Sequence, residues 1–215
     1  MIRSFDKDNF HQLCDQVASI DPLLKRIIDD NGYPPLWSRT PSFETLIHII
    51  LEQQVSLASA RAALNKLRER IGVPLPEQLL LLTDEELKAC YFSRQKIQYS
   101  RHLAESLTIK KPGGKKDLNI DEFESMIDDE VRKTLKTIKG IGDWTADVYL
   151  MMVLHRCDLF PVGDIALINS VRYEMNDLKL SKQDVLQLSD KWRPLRTIAA
   201  FIFWHAYICR KGIKV

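Results

Sequence analysis

The chain has 215 residues, 45% hydrophobic and 28% charged, enough for one domain of ordinary size or two small packed lobes. Its 31 Lys and Arg against 29 Asp and Glu give a formal net charge of +2, which permits a polyanionic partner without demanding one. Residues 1–8 lack the apolar core of a secretory signal, and the apolar stretches 149–154 and 198–209 fall short of the roughly 20 residues that span a bilayer, so a cytoplasmic protein is expected, or a nuclear one in a eukaryote.

Helical periodicity runs through almost the whole chain. The first forty residues read as one or two helices, over 6–20 and 22–30. Pro41-Ser42 then opens a helix on which Phe43, Leu46, Ile47, Ile50 and Leu51 recur at three and four residues, the mark of one buried face. A second helix over 56–70 ends before Gly72 and Pro74. Short helices follow at 77–82 and 84–90, and a longer one at 94–107. Lys110 to Lys116 holds Pro112, Gly113 and Gly114, which cannot continue a helix, and its lysines suit a solvated linker or a phosphate contact. Helices at 120–127 and 128–138 lead to a Gly-Ile-Gly turn and a helix, 144–154, apolar on nearly every side and therefore expected inside a core. No alternating stretch is long enough for a sheet, so the fold class is all-α. Cys14, Cys90, Cys157 and Cys209 form no CxxC pair, and the histidines show no HxxxH or HxH, so no side-chain metal site is expected and the thiols read as reduced.

The turn carries the most chemistry. Glycine at Gly140 and Gly142 allows positive φ and leaves no Cβ in the way of an approaching group. The helix that follows begins with unpaired N–H groups, which together make an anion site suited to a DNA phosphate. The carbonyls of such a turn can also hold a Na⁺ or K⁺ ion. A Gly-x-Gly corner equally serves to join two helices tightly. Asp143 would repel a phosphate, or cap the helix it opens. Further on, Pro161-Val162-Gly163-Asp164 before an apolar run has the form of a helix N-cap.

The segment Leu135-Lys-Thr-Ile-Lys-Gly-Ile-Gly-Asp-Trp-Thr-Ala146, with Phe160-Pro-Val-Gly-Asp164 after it, resembles the helix-hairpin-helix (HhH-GPD) DNA glycosylase superfamily, closest to the 3-methyladenine DNA glycosylase II branch. Two more segments resemble that branch: Phe43-Glu44 leading to Ile50-Leu-Glu-Gln-Gln-Val-Ser56, and Trp192-Arg-Pro-Leu-Arg196 leading to Trp204. The likeness covers about residues 39–207. It implies two helical lobes, 1–35 with 157–215 and 36–156, the hairpin at 135–147, and a DNA cleft between the lobes. It makes Asp164 the catalytic carboxylate and Trp204 and Trp144 walls of a base pocket. It places Gly140, Ile141, Gly142 and Thr145 of the hairpin on the phosphate, and Arg94, Lys96, Gln53 and Gln54 on DNA, with Arg94 where the relative inserts a leucine wedge.

Breaking an N-glycosidic bond builds positive charge on the sugar, which a fixed anion stabilises while orienting the attacking water. An alkylated purine already carries a positive charge and leaves as a neutral base, so one carboxylate suffices. Lyase members of the superfamily carry a lysine where this chain has Trp144, so a monofunctional enzyme is expected. Val148 stands where the bacterial relative has a pocket tyrosine, and the forty amino-terminal residues replace its α/β domain. The implied activity is release of 3-methyladenine- and 7-methylguanine-type bases from double-stranded DNA by a monomer with no organic cofactor. The alternatives are a non-catalytic helix-hairpin-helix protein that recognises damage or shapes DNA, a structural bundle, and a glycosylase for oxidised or deaminated bases.

Overall fold

Capping chemistry sets the helix boundaries. In the computed structural model, which describes residues 4–109 and 118–213, α1 (Phe10–Ile20) gives way to α2 (Pro22–Asn31) at Asp21. Its carboxylate accepts from Leu23 N–H, and Pro22, at the first helical position, has no N–H to satisfy. Residues 6–9, read as helical from the sequence, form a turn instead, because Asp6 Oδ1 accepts from the N–H groups of Asp8 and Asn9. Ser42 caps α3 (Phe43–Glu52), Ser56 caps α4 (Leu57–Ile71), and Ser93 caps α7 (Arg94–Thr108). Between them lie α5 (Pro76–Leu81) and α6 (Asp84–Ala89), the latter opened by a reciprocal Thr83–Glu86 capping box.

The stretch 120–127 departs from expectation. Only a single 3₁₀ turn forms, Ile120–Glu122, since the Ser125 hydroxyl donates to the Glu122 carbonyl and competes with the helical ladder. The expected linker from Lys110 to Lys116 lies outside the described residues. Then follow α8 (Asp128–Leu135), α9 (Asp143–Met152), α10 (Ile165–Glu174), α11 (Lys182–Ser189) and α12 (Arg196–Lys211). The protein is all-α: among the described residues, extended pairing is confined to one isolated bridge between Ser4 and Arg156. None of the described helices is long and apolar enough to cross a membrane.

The chain divides into two compact units, Met1–Ser38 with Leu150–Val215, and Arg39–Tyr149. In the first, α12 is the central helix, with Ile198, Phe201, Ile202 and Phe203 at most 1% exposed and α1, α2 and α10 packed around it. Trp192 is fully buried, and its indole N–H donates to Asp21 Oδ2 at 2.8 Å, with Lys191 Nζ on the same oxygen at 2.6 Å. In the second unit, α7 packs on α3, α5 and α6, and α4 on α3. The apolar α9 is buried as its composition requires, with Ala146, Val148 and Tyr149 at most 2% exposed.

Candidate active site and hairpin

In the first unit, Asp164 is the N-cap of α10. Its Oδ1 accepts from Leu167 N–H at 2.8 Å and from the Trp204 indole N–H at 3.1 Å. Two donors on one oxygen hold the carboxylate at a set orientation, and capping and catalysis are therefore compatible at this position. Trp204 is 8% exposed and leans on Phe201. Trp37, not singled out from the sequence, meets Trp204 nearly at right angles, with ring centroids 6.4 Å apart and planes at 81°. It also stands edge-on to Phe201 at 5.3 Å. The signal available in the sequence was a lone tryptophan in a proline-broken stretch, Pro34-Pro35-Leu36-Trp37, with no periodicity to give it a face.

In the second unit, the hairpin turn runs from Ile138 into α9. Gly140 has φ +87°, the left-handed region that glycine alone enters cheaply. Gly142 is exposed and does not share that conformation, contrary to the expectation of positive φ at both glycines. Asp143 is the first residue of α9, where an acid suits the helix dipole, and Lys136 Nζ sits on its Oδ1 at 2.6 Å. That ion pair offsets the charge of the carboxylate at the start of α9. Among the described residues the N–H groups of Gly140, Gly142 and Asp143 have no acceptor. Ile138 O and Gly140 O each accept one hydrogen bond, which leaves a lone pair on each for a hard monovalent cation. Among the described residues no group of three or more His, Cys, Asp or Glu side chains is placed to hold a metal.

The other expected contact residues divide into inward and outward groups. Thr145 is 1% exposed and Ile141 4%, so their side chains belong to the core and only their backbone can meet a phosphate. Gln53 Nε2 donates to Gly140 O and to Thr145 Oγ1, both at 2.9 Å, which staples the end of α3 to the hairpin. Lys96 points its ammonium at the last turn of α3, 2.6 Å from Leu51 O, and burial holds its pKa below the usual lysine range. Arg94, the first residue of α7, and Gln54, at φ +58°, are exposed, while Trp144 is half-buried on the first turn of α9. Tyr91, which sequence reasoning passed over, is 62% exposed at φ +65°. It lines an open groove of about 300 Å³ with Leu51, Val55 and Lys96.

A model of the HhH-GPD superfamily of base excision DNA repair proteins matches residues 47–194. This chain belongs to that superfamily. The match takes in the Gln53 staple, the hairpin and Asp164 together. DNA-3-methyladenine glycosylase 1 of Schizosaccharomyces pombe is 30% identical over 95% of this chain and 88% of its own length. The chain spans 65% of the length of YfjP of Bacillus subtilis, at 28% identity over 85% of its own. Among solved structures, the S. pombe 3-methyladenine DNA glycosylase Mag1 in complex with abasic DNA superposes with a TM-score of 0.78 and 30% identity, covering 90% of this chain and 95% of that one.

Proposed function

We propose that this superfamily member is a DNA repair glycosylase that hydrolyses the N-glycosidic bond of alkylated purines in double-stranded DNA and leaves an abasic site. The names of its relatives support that reading, and the observation that carries it is the oriented carboxylate of Asp164. The target nucleotide leaves the stack. The C1′–N bond then breaks with its electron pair going to the base, which is cationic while bound and departs neutral. Asp164 stabilises the oxocarbenium charge and orients water, whose oxygen bonds to C1′ as its proton passes to the carboxylate. Trp204 holds the carboxylate, and its indole supplies aromatic surface that attracts a cationic base by about 0.5–2 kcal/mol.

The free amides of the hairpin hold a phosphate, positioning DNA without reading sequence. Its unengaged carbonyl lone pairs would hold a Na⁺ or K⁺ ion, whose charge would favour the same phosphate. Trp144 offers no amine to attack C1′, so the reaction is hydrolysis without strand cleavage. Borohydride added during turnover should trap no protein–DNA adduct, and a trapped species on a denaturing gel would show an amine nucleophile at work.

Asp164→Asn tests the assignment cleanly, because asparagine caps a helix as well as aspartate and keeps an oxygen for Leu167 and Trp204. Single-turnover release of 7-methylguanine should fall by about a hundredfold or more, with DNA affinity kept. Near-normal release would reduce Asp164 to a helix cap and favour the non-catalytic DNA-binding alternative.

A further inference from the structure

We infer that His102 is a positioning residue for the phosphate-binding turn, fixing from α7 the direction in which the hairpin amides point. This deepens the proposed reading of the turn as a phosphate site and rests on it. A peptide group is planar, so one held at both its C=O and its N–H cannot swivel. The Ile138–Lys139 peptide is held in this way: Ile138 O accepts from Ile141 N–H at 3.0 Å, and Lys139 N–H donates to His102 Nδ1 at 3.0 Å. So is the Gly140–Ile141 peptide, whose carbonyl accepts from Gln53 and whose N–H goes to Ile138 O. The alternate peptides, Lys139–Gly140 and Ile141–Gly142, carry two of the three N–H groups that have no acceptor among the described residues, those of Gly140 and Gly142. Their directions follow from the held neighbours.

His102 does not act alone on this face. Gln95, Gln98, Tyr99 and His102 recur at the spacing that puts side chains on one stripe of a helix. Gln98 Oε1 accepts from Lys139 Nζ at 3.0 Å, and Gln95 Nε2 donates to the Tyr99 hydroxyl at 2.5 Å. The Tyr99 ring lies so close under Gly140 that a Cβ there would overlap the ring carbons. The stripe is a floor for the turn, and His102 is its only member that holds a turn amide. Nδ1 accepts only while it carries no proton, so the ring keeps its proton on Nε2. Donors set in place beforehand need not be ordered when the phosphate arrives, and that lowers the cost of binding any duplex.

Three substitutions at His102 separate positioning from general packing. Asparagine places an oxygen where Nδ1 stands, glutamine places its own nearer Nε2, and leucine offers no acceptor. Each variant is assayed for binding to an intact duplex and to the same duplex with an abasic analogue, for thermal melting, and for single-turnover release of 7-methylguanine at saturating enzyme. We expect His102→Leu and His102→Gln to weaken both duplexes alike, by roughly fivefold to tenfold, with the saturated rate unchanged. His102→Asn should bind within about twofold of the parent. Parent-like binding by His102→Gln, or binding by His102→Asn no better than by His102→Leu, would overturn the inference. Gly142→Val serves as the reference arm, since it blocks the turn without touching His102. If Gly142→Val binds intact DNA as the parent does, the phosphate reading itself falls and takes the inference with it. If Gly142→Val is weak while the leucine and glutamine variants bind normally, only the role of His102 falls.

Discussion

The Oδ1 atom of Asp164 takes two hydrogen bonds, one from its own helix and one from the α12 indole, and the two have different consequences when removed. The backbone bond is kept by any capping residue, whereas the indole bond depends on Trp204 alone. Trp204→Phe preserves most of the aromatic surface and deletes the 3.1 Å donor, so the carboxylate loses the restraint that the indole supplies. Single-turnover base release should drop by about tenfold while nonspecific DNA affinity stays the same, in line with the loss of one charge-assisted hydrogen bond. An unchanged rate would mean that the indole bond does not orient Asp164. The N-cap position of Asp164 was legible in the sequence, because Pro-Val-Gly-Asp before an apolar run is a linear feature. The indole bond was not legible, since it joins positions 40 apart through packing that no spacing rule encodes. Trp37 was hidden for the same reason, and so were the hydrogen bonds of Gln53 to Gly140 and Thr145, which join positions 87 and 92 apart.

The hairpin, at the scale of an element, has two glycines with separate duties. At Gly140 a side chain meets both a left-handed φ and the flat face of Tyr99, which cannot swing aside as the end of a flexible chain would. At Gly142 a Cβ meets nothing within 4 Å. Gly140→Ala should therefore destabilise the protein by about 2–4 kcal/mol, summing left-handed strain and overpacking, while Gly142→Ala should melt like the parent. Equal melting of the two variants would refute the Tyr99 contact. A second element-scale case is the junction at Asp21, which caps α2 and accepts from Trp192 and Lys191 across the unit. Asp21→Ala strands the buried Trp192 N–H as well as the cap, so a loss of about 2–3 kcal/mol is expected in denaturant melts. A loss under about 0.5 kcal/mol, the usual range for a surface change, would count against that junction. The helices themselves were readable because Ser, Thr and Pro mark their starts; 120–127 was misread because side-chain competition, not apolar spacing, decides that turn.

At the scale of the whole molecule, three groups, Asp21 buried and His48 and His155 half-buried, titrate in the same direction. Burial lowers the pKa of His155, with Asp6 opposing. Burial also lowers that of His48, assisted by Arg39, Arg68 and Arg61 against the pull of Glu52. Asp21 is lowered too: burial works against its charge, but hydrogen bonds from Lys191, Trp192 and Leu23 outweigh it. A group whose pKa is lower folded than unfolded binds more protons when unfolded, so each of the three makes stability rise with pH. The histidine contributions are complete above the unfolded value of about 6.5 and are lost as pH falls through the folded values beneath it. The Asp21 contribution persists until pH drops below about 4, its unfolded value. Two steps of acid loss are therefore expected, one as pH falls below the unfolded histidine value of about 6.5 and one as it falls below the unfolded aspartate value of about 4. His48 lies in the Arg39–Tyr149 unit and His155 in the other, so the first step should touch both units. The check is thermal melting from pH 7.5 to 5 for the parent and for His48→Gln with His155→Gln, which removes both titrating rings. The parent should lose melting temperature across that range, and the double variant should lose clearly less. If the two chains track each other, the histidines are not what couples this fold to pH.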